Sequence, residues 1–129
     1  MTNDLTLTLD LPFAEAADQV RAALKEQGFG ILTEIDVTAT LKEKLGEQME
    51  DYLILGACNP PLAHRALGVD RSLGLLLPCN VVLRGTETGT LVEFADPDLM
   101  VGFTHNPALE PIAQEARERL TLVVKALHG

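Results

Sequence analysis

The segments Cys79-Asn-Val-Val-Leu-Arg84 and Thr90-Leu-Val-Glu-Phe-Ala95 read as two strands, and Gly85-Thr-Glu-Thr-Gly89 between them reads as a turn. A hairpin permits only antiparallel pairing, so the chain must contain an antiparallel sheet. The remaining pattern supplies helices to cover it. Leu5, Leu7 and Leu9 alternate with Thr6 and Thr8, the signature of a half-buried strand. Pro12 then suits the opening of a helix, and Phe13, Ala17, Val20 and Leu24 recur at helical spacing up to a stop at Gly28.

Gly30–Val37 reads as the next strand, with Ile31, Thr33, Ile35 and Val37 on one side and Leu32, Glu34 and Asp36 on the other. Glu34 and Asp36 suit the solvated side of an edge strand; the alternative is an acid/base pair. Thr40-Leu-Lys-Glu43 has capping-box spacing for a short helix ending at Gly46. Tyr52–Cys58 is an apolar strand. Asn59-Pro60-Pro61 starts a short helix to Leu67, with Gly68 as its stop. A leucine-rich link leads to Pro78, and Asp96-Pro97-Asp98 turns the chain after the hairpin. Asn106-Pro107 caps a long last helix with Leu109, Ile112, Ala116, Leu120, Val123 and Leu127 as its stripe. The expected fold class is α+β: one antiparallel sheet with two main helices packed on one face, in a single domain spanning residues 1–129.

Charge and composition narrow the function. The net charge is −9, and only 4% of residues are aromatic, with no tryptophan. An acidic chain repels phosphate backbones and few aromatics leave little to stack on bases, so nucleic acid is not an expected partner. No apolar run approaches the ~20 residues of a membrane span, and no basic-then-apolar leader is visible. Two cysteines in a chain of this length make no secreted disulfide scaffold, so the expected location is cytoplasmic.

Residues 52–86 carry Arg65, Arg71 and Arg84 against Asp70 alone, so this third is locally positive in an acidic chain. Both cysteines lie in it, and each is followed by asparagine. Cys58 ends a strand before a helix N-terminus, where backbone N–H groups favour a thiolate. His64 lies one to two turns into that helix and could serve as its base; the alternative is an inert, buried thiol. Cys58, Asn59, His64, Arg65, Cys79 and Asn80 are therefore the candidate ligand-binding residues. The expected ligand is small and anionic or thiol-reactive, or a soft transition metal. Cys58, His64 and Cys79 would make a three-ligand zinc-type set, and Met100 and His105 could add soft donors suited to copper(I). The alternative is a thiol-dependent enzyme with Cys58 as nucleophile, His64 as base, and Asn80 or helix N–H groups stabilising an oxyanion.

Four ordered blocks resemble the family named domain of unknown function 302. They are Gly28-Phe-Gly-Ile-Leu-Thr-Glu-Ile-Asp-Val37, Gly56-Ala-Cys-Asn-Pro-Pro-Leu-Ala-His-Arg-Ala-Leu67, Leu75-Leu-Leu-Pro-Cys-Asn-Val-Val82 and Asp96-Pro97-x-x-Met100. The resemblance implies a small α+β fold with a long C-terminal helix, a homodimer, and a bacterial or archaeal cytosolic setting. It implies no activity.

Overall fold

The computed structural model describes residues 5–129. Strands β1 (Thr6–Leu9), β2 (Gly30–Asp36), β3 (Tyr52–Cys58), β4 (Cys79–Thr86) and β5 (Gly89–Phe94) form one sheet in the order β1-β5-β4-β3-β2. Every neighbouring pair is antiparallel. The helices are α1 (Phe13–Glu26), α2 (Val37–Leu45), α3 (Pro60–Val69), α4 (Leu99–Thr104) and α5 (Glu110–His128), with short 3-10 turns at Arg71–Leu76 and Pro107–Leu109. The mixed α+β class and the antiparallel sheet are as expected from the hairpin.

Helices α1 and α5 lie over one face of the sheet. Leu7, Leu9, Leu53, Leu55, Val81, Leu83, Val92 and Phe94 point into that face and pack with Val20, Leu24, Leu120 and Val123 from the two helices. Such alternation is what a strand with one covered face requires. A second, smaller cluster lies beyond the sheet end. It joins Leu62 and Ala66 of α3, Leu73 of the 3-10 turn, Met100 of α4, and Leu109, Ile112, Ala113 and Ala116 at the start of α5.

Three local expectations need correction. In β2 the pairing shifts between Ile31 and Thr33, so Leu32 is a bulge and is 64% exposed. The extra residue reverses the pleat. Ile31 therefore pairs with Ala57 and packs on the main core, whereas Thr33 and Ile35 turn to the open face opposite Gly56 and Ile54. Helix α2 starts at Val37, not at a Thr40 capping box: Asp36 is its cap, accepting a 2.9 Å bond from the Ala39 N–H. Gly68 does not end α3, which continues to Val69. The Arg71–Leu76 turn, read from sequence as a link, and helix α4, not expected from the sequence, are ordered by the second cluster.

The carboxylates of β2 have structural partners. Register places Glu34 opposite Leu55 on the covered face, where Arg21 of α1 donates to it at 3.0 and 2.6 Å. With Asp36 used as a cap, the pair is not free for acid/base work. No helix among the described residues is long and apolar enough to cross a membrane.

Candidate functional site

All four sequence blocks meet at the sheet end where β3 finishes and β4 begins. Two hollows form there. A small chamber of about 30 Å³ is bordered by Phe29, Ala57, Cys58, Asn59, Leu62, Ala63, Ala66, Leu77, Cys79 and Met100. A larger cleft of about 280 Å³ runs beside it, between the segments Leu75–Asn80 and Ala95–Met100. Leu77, Cys79 and Met100 border both.

The two cysteines reach this region in opposite phases. Cys79 lies directly opposite Ala57, so it shares the covered face with that buried residue. Cys58 is one residue further along β3, and pleat alternation starts its side chain from the other side. That side also holds Gly56, where a Cβ would collide with the Thr33 hydroxyl and come within 2.8 Å of Pro78 Cγ. Only glycine lets Pro78 and Thr33 close over the strand at this point. Both thiols are free and half-buried. Burial pushes the Cys58 thiol above its ordinary value. The Cys79 thiol is raised too, by burial first and then by charge at Cys58. Both environments favour the neutral thiol, opposite to the depressed value a thiolate nucleophile needs.

The asparagines separate as well. Asn59 is buried and caps α3: its Oδ1 accepts a 3.3 Å bond from the Leu62 N–H. Its Nδ2 lies 3.1 Å from where a Cβ on Gly28 would sit, and Gly28 has φ +83°. The first sequence block thus packs against the second through this contact. Asn80 is exposed and borders the cleft. Its backbone carbonyl accepts the Ala95 N–H at 3.0 Å, which ties the two cleft segments together.

His64 and Arg65 lie elsewhere. The buried residues of α3 are Leu62 and Ala66, and His64 falls between them on the outer, exposed side. It borders neither hollow. Arg65 bonds Glu115 of α5 at 3.1 Å. That bond, with a second from Arg119, holds the Glu115 carboxyl below its ordinary value. His105 is the exposed, left-handed residue that ends α4, at φ 53°, and also lies outside both hollows. Among the described residues no three His, Cys, Asp or Glu side chains gather to hold a metal ion. The set Cys58, His64 and Cys79 is not assembled: the two cysteines border one chamber and Cys58 acts on Cys79, but helix phase turns His64 away from it.

The positive middle third is also a property of the linear chain only. Arg65 meets Glu115 and Arg84 meets Glu93 at 3.1 Å each. Both carboxylates come from outside residues 52–86. Arg71 is exposed and has no ion pair among the described residues.

The cleft wall contains residues that the site reading of the sequence missed: Leu75, Leu76, Leu77, Asp96, Pro97 and Leu99. The signal was present in three consecutive leucines that fit neither strand nor helix period, and in the Asp96-Pro97-x-x-Met100 block.

A family model described as "Domain of unknown function DUF302" matches residues 5–127. No curated protein matches the chain. Among solved structures, the chain is similar to the crystal structure of an uncharacterized conserved protein DUF302 from Bacillus stearothermophilus. The identity is 30%, the TM-score 0.86, and 94% of each chain is covered. Sequence blocks, sheet topology and long final helix thus agree, and the chain belongs to the DUF302 family.

Proposed function

We propose that this domain is a binding module for a small molecule, held in the cleft between Leu75–Asn80 and Ala95–Met100, and that it works as a homodimer in the cytoplasm. The observation that carries the reading is convergence. The second cysteine block and the Asp96–Met100 block, distant in sequence, form the two walls of one cleft. A concave, mostly apolar site with a few polar groups is the common form of a small-molecule site. A reducing compartment suits two free thiols.

Support for the dimer comes from the open face of the sheet. Ile35 is 48% exposed there, and half-buried Tyr52, Ile54, Val82 and Leu91 lie on the same side. Arg84 and Glu93 neutralise each other on that face. Two copies of an acidic chain can therefore meet there without opposing like charges. Leu32 and Leu45, both exposed, extend the apolar surface at the β2 edge.

The test is amide NMR of the full chain with a mixed fragment set, beside sedimentation equilibrium. Binding at the cleft shifts the amides of Leu75–Asn80 and Ala95–Met100, and dimerisation is weakened by Ile35→Lys. Fragment shifts confined to other surfaces would overturn the site. A monomer at every concentration would overturn the dimer.

A further inference from the structure

We infer that the cleft takes a small uncharged ligand with an apolar body and one hydrogen-bonding head. This deepens the reading of the cleft as the binding site and rests on it. Size follows from the volume of about 280 Å³. The apolar body follows from the walls, which Leu75, Leu77, Pro78, Pro97, Leu99 and Met100 line. Leu75 and Leu99 are 76% and 58% exposed, so binding would remove apolar surface from water on both partners.

Neutrality follows from charge accounting. Among the described residues, Asp96 is the one charged residue on the cleft wall. Its Oδ2 accepts a 2.6 Å bond from Arg117, and its Oδ1 accepts the Asp98 N–H at 2.9 Å. A ligand cation finds that carboxylate already compensated. A ligand anion finds no Lys, Arg or His among the described residues of the wall and lies near the carboxylate. A charge buried against this wall would leave water without a partner, which is costly. The thiol of Cys79 adds no charge, since burial holds it protonated.

The head group follows from Asn80. Asn80 borders the cleft, and its side chain makes no hydrogen bond to the described residues. A primary carboxamide offers both donors and an acceptor, so it matches an amide or hydroxyl head rather than an ion.

Three probes of matched length test this on the full chain by amide NMR titration: heptanamide, heptanoate and octylamine. Heptanamide is expected to bind at least about tenfold more tightly than either ion, with shifts confined to Leu75–Asn80 and Ala95–Met100. Asn80→Ala should erase that preference. Tighter cleft binding by heptanoate or octylamine overturns neutrality and leaves the cleft as a site. A preference that survives Asn80→Ala overturns the head-group assignment. If none of the probes moves the cleft amides, the binding site and the ligand class both fall.

Discussion

In Cys58-Asn59 the cysteine closes strand β3 and the asparagine opens helix α3; in Cys79-Asn80 both residues belong to strand β4. The dipeptides share chemistry and differ in phase. Cys79 shares the face of buried Ala57, and its asparagine borders the cleft with no side-chain hydrogen bond among the described residues. Cys58 falls on the other half of the pleat, and its asparagine is consumed as a helix cap. One pair is therefore built into the frame and the other is presented at the site. The difference arises from the residues next in the chain. Pro60-Pro61 stops β3 and starts a helix, because proline breaks a strand ladder but suits a first helical turn. After Asn80 comes Val-Val-Leu, which prolongs a strand.

The largest expected effect tests the contact that brings the two dipeptides together. Gly56 pairs with Asn80 and lies two residues before Cys58. In Gly56→Ala the new methyl meets Thr33 and the Pro78 ring. Thr33 can rotate, whereas the ring cannot fold away, so the start of β4 must shift. Overpacking of this kind costs roughly 1–3 kcal/mol. Chemical denaturation measures the loss, and it should be accompanied by amide shifts at Pro78–Asn80 neighbours. A neutral substitution would mean that the two segments are not held by this close approach.

Next is the contrast between the asparagines themselves. Asn59→Ala removes a buried N-cap and should cost about 1 kcal/mol, within a range of roughly 0.5–2. Asn59→Asp keeps the acceptor and should recover much of that. Asn80→Ala, on an exposed strand position, should stay within about 0.5 kcal/mol of wild type. Equal losses by thermal and urea unfolding would break the division between frame and site.

The sequence revealed the frame far better than the site. The period-two leucines of β1, the β4–β5 hairpin and the apolar stripe of α5 each depend on local spacing and were legible, although Asn106 caps a 3-10 turn that holds Leu109 and α5 itself starts at Glu110. The Leu32 bulge left no local mark, so the faces of Ile31 and Thr33 could not be assigned from alternation alone. Site chemistry was harder still. Cys58 and His64 are close along the chain, but helix phase turns His64 to solvent. Arg65 and Arg84 looked like a positive patch because their partners, Glu115 and Glu93, come from other segments. The leucines after Ser72 had no period to read, because a 3-10 turn and a cleft wall impose none. Cys79, Asn80 and Met100 were legible as candidates by residue type, and their meeting at one cleft required the register of β3 on β4.

The smallest expected effect tests the two thiols by pH. Both are raised in the folded chain, Cys79 by burial and by charge at Cys58, Cys58 by burial alone. Above the ordinary thiol range of about 8.5, the unfolded chain loses these protons while the folded chain retains them. Unfolding then releases protons, so rising pH favours the unfolded state. The contribution is complete below the unfolded value and is lost as pH climbs through the folded ones. Stability of wild type should therefore fall more steeply between about pH 8 and pH 10 than that of Cys79→Ala. Cys58→Ala should flatten the fall as well, because it removes its own raised thiol and the charge that helps to raise Cys79. Urea midpoints at several pH values supply the slopes, and comparing slopes removes the constant cost of each lost side chain. A pH dependence that neither substitution flattens would show that burial does not hold these thiols protonated.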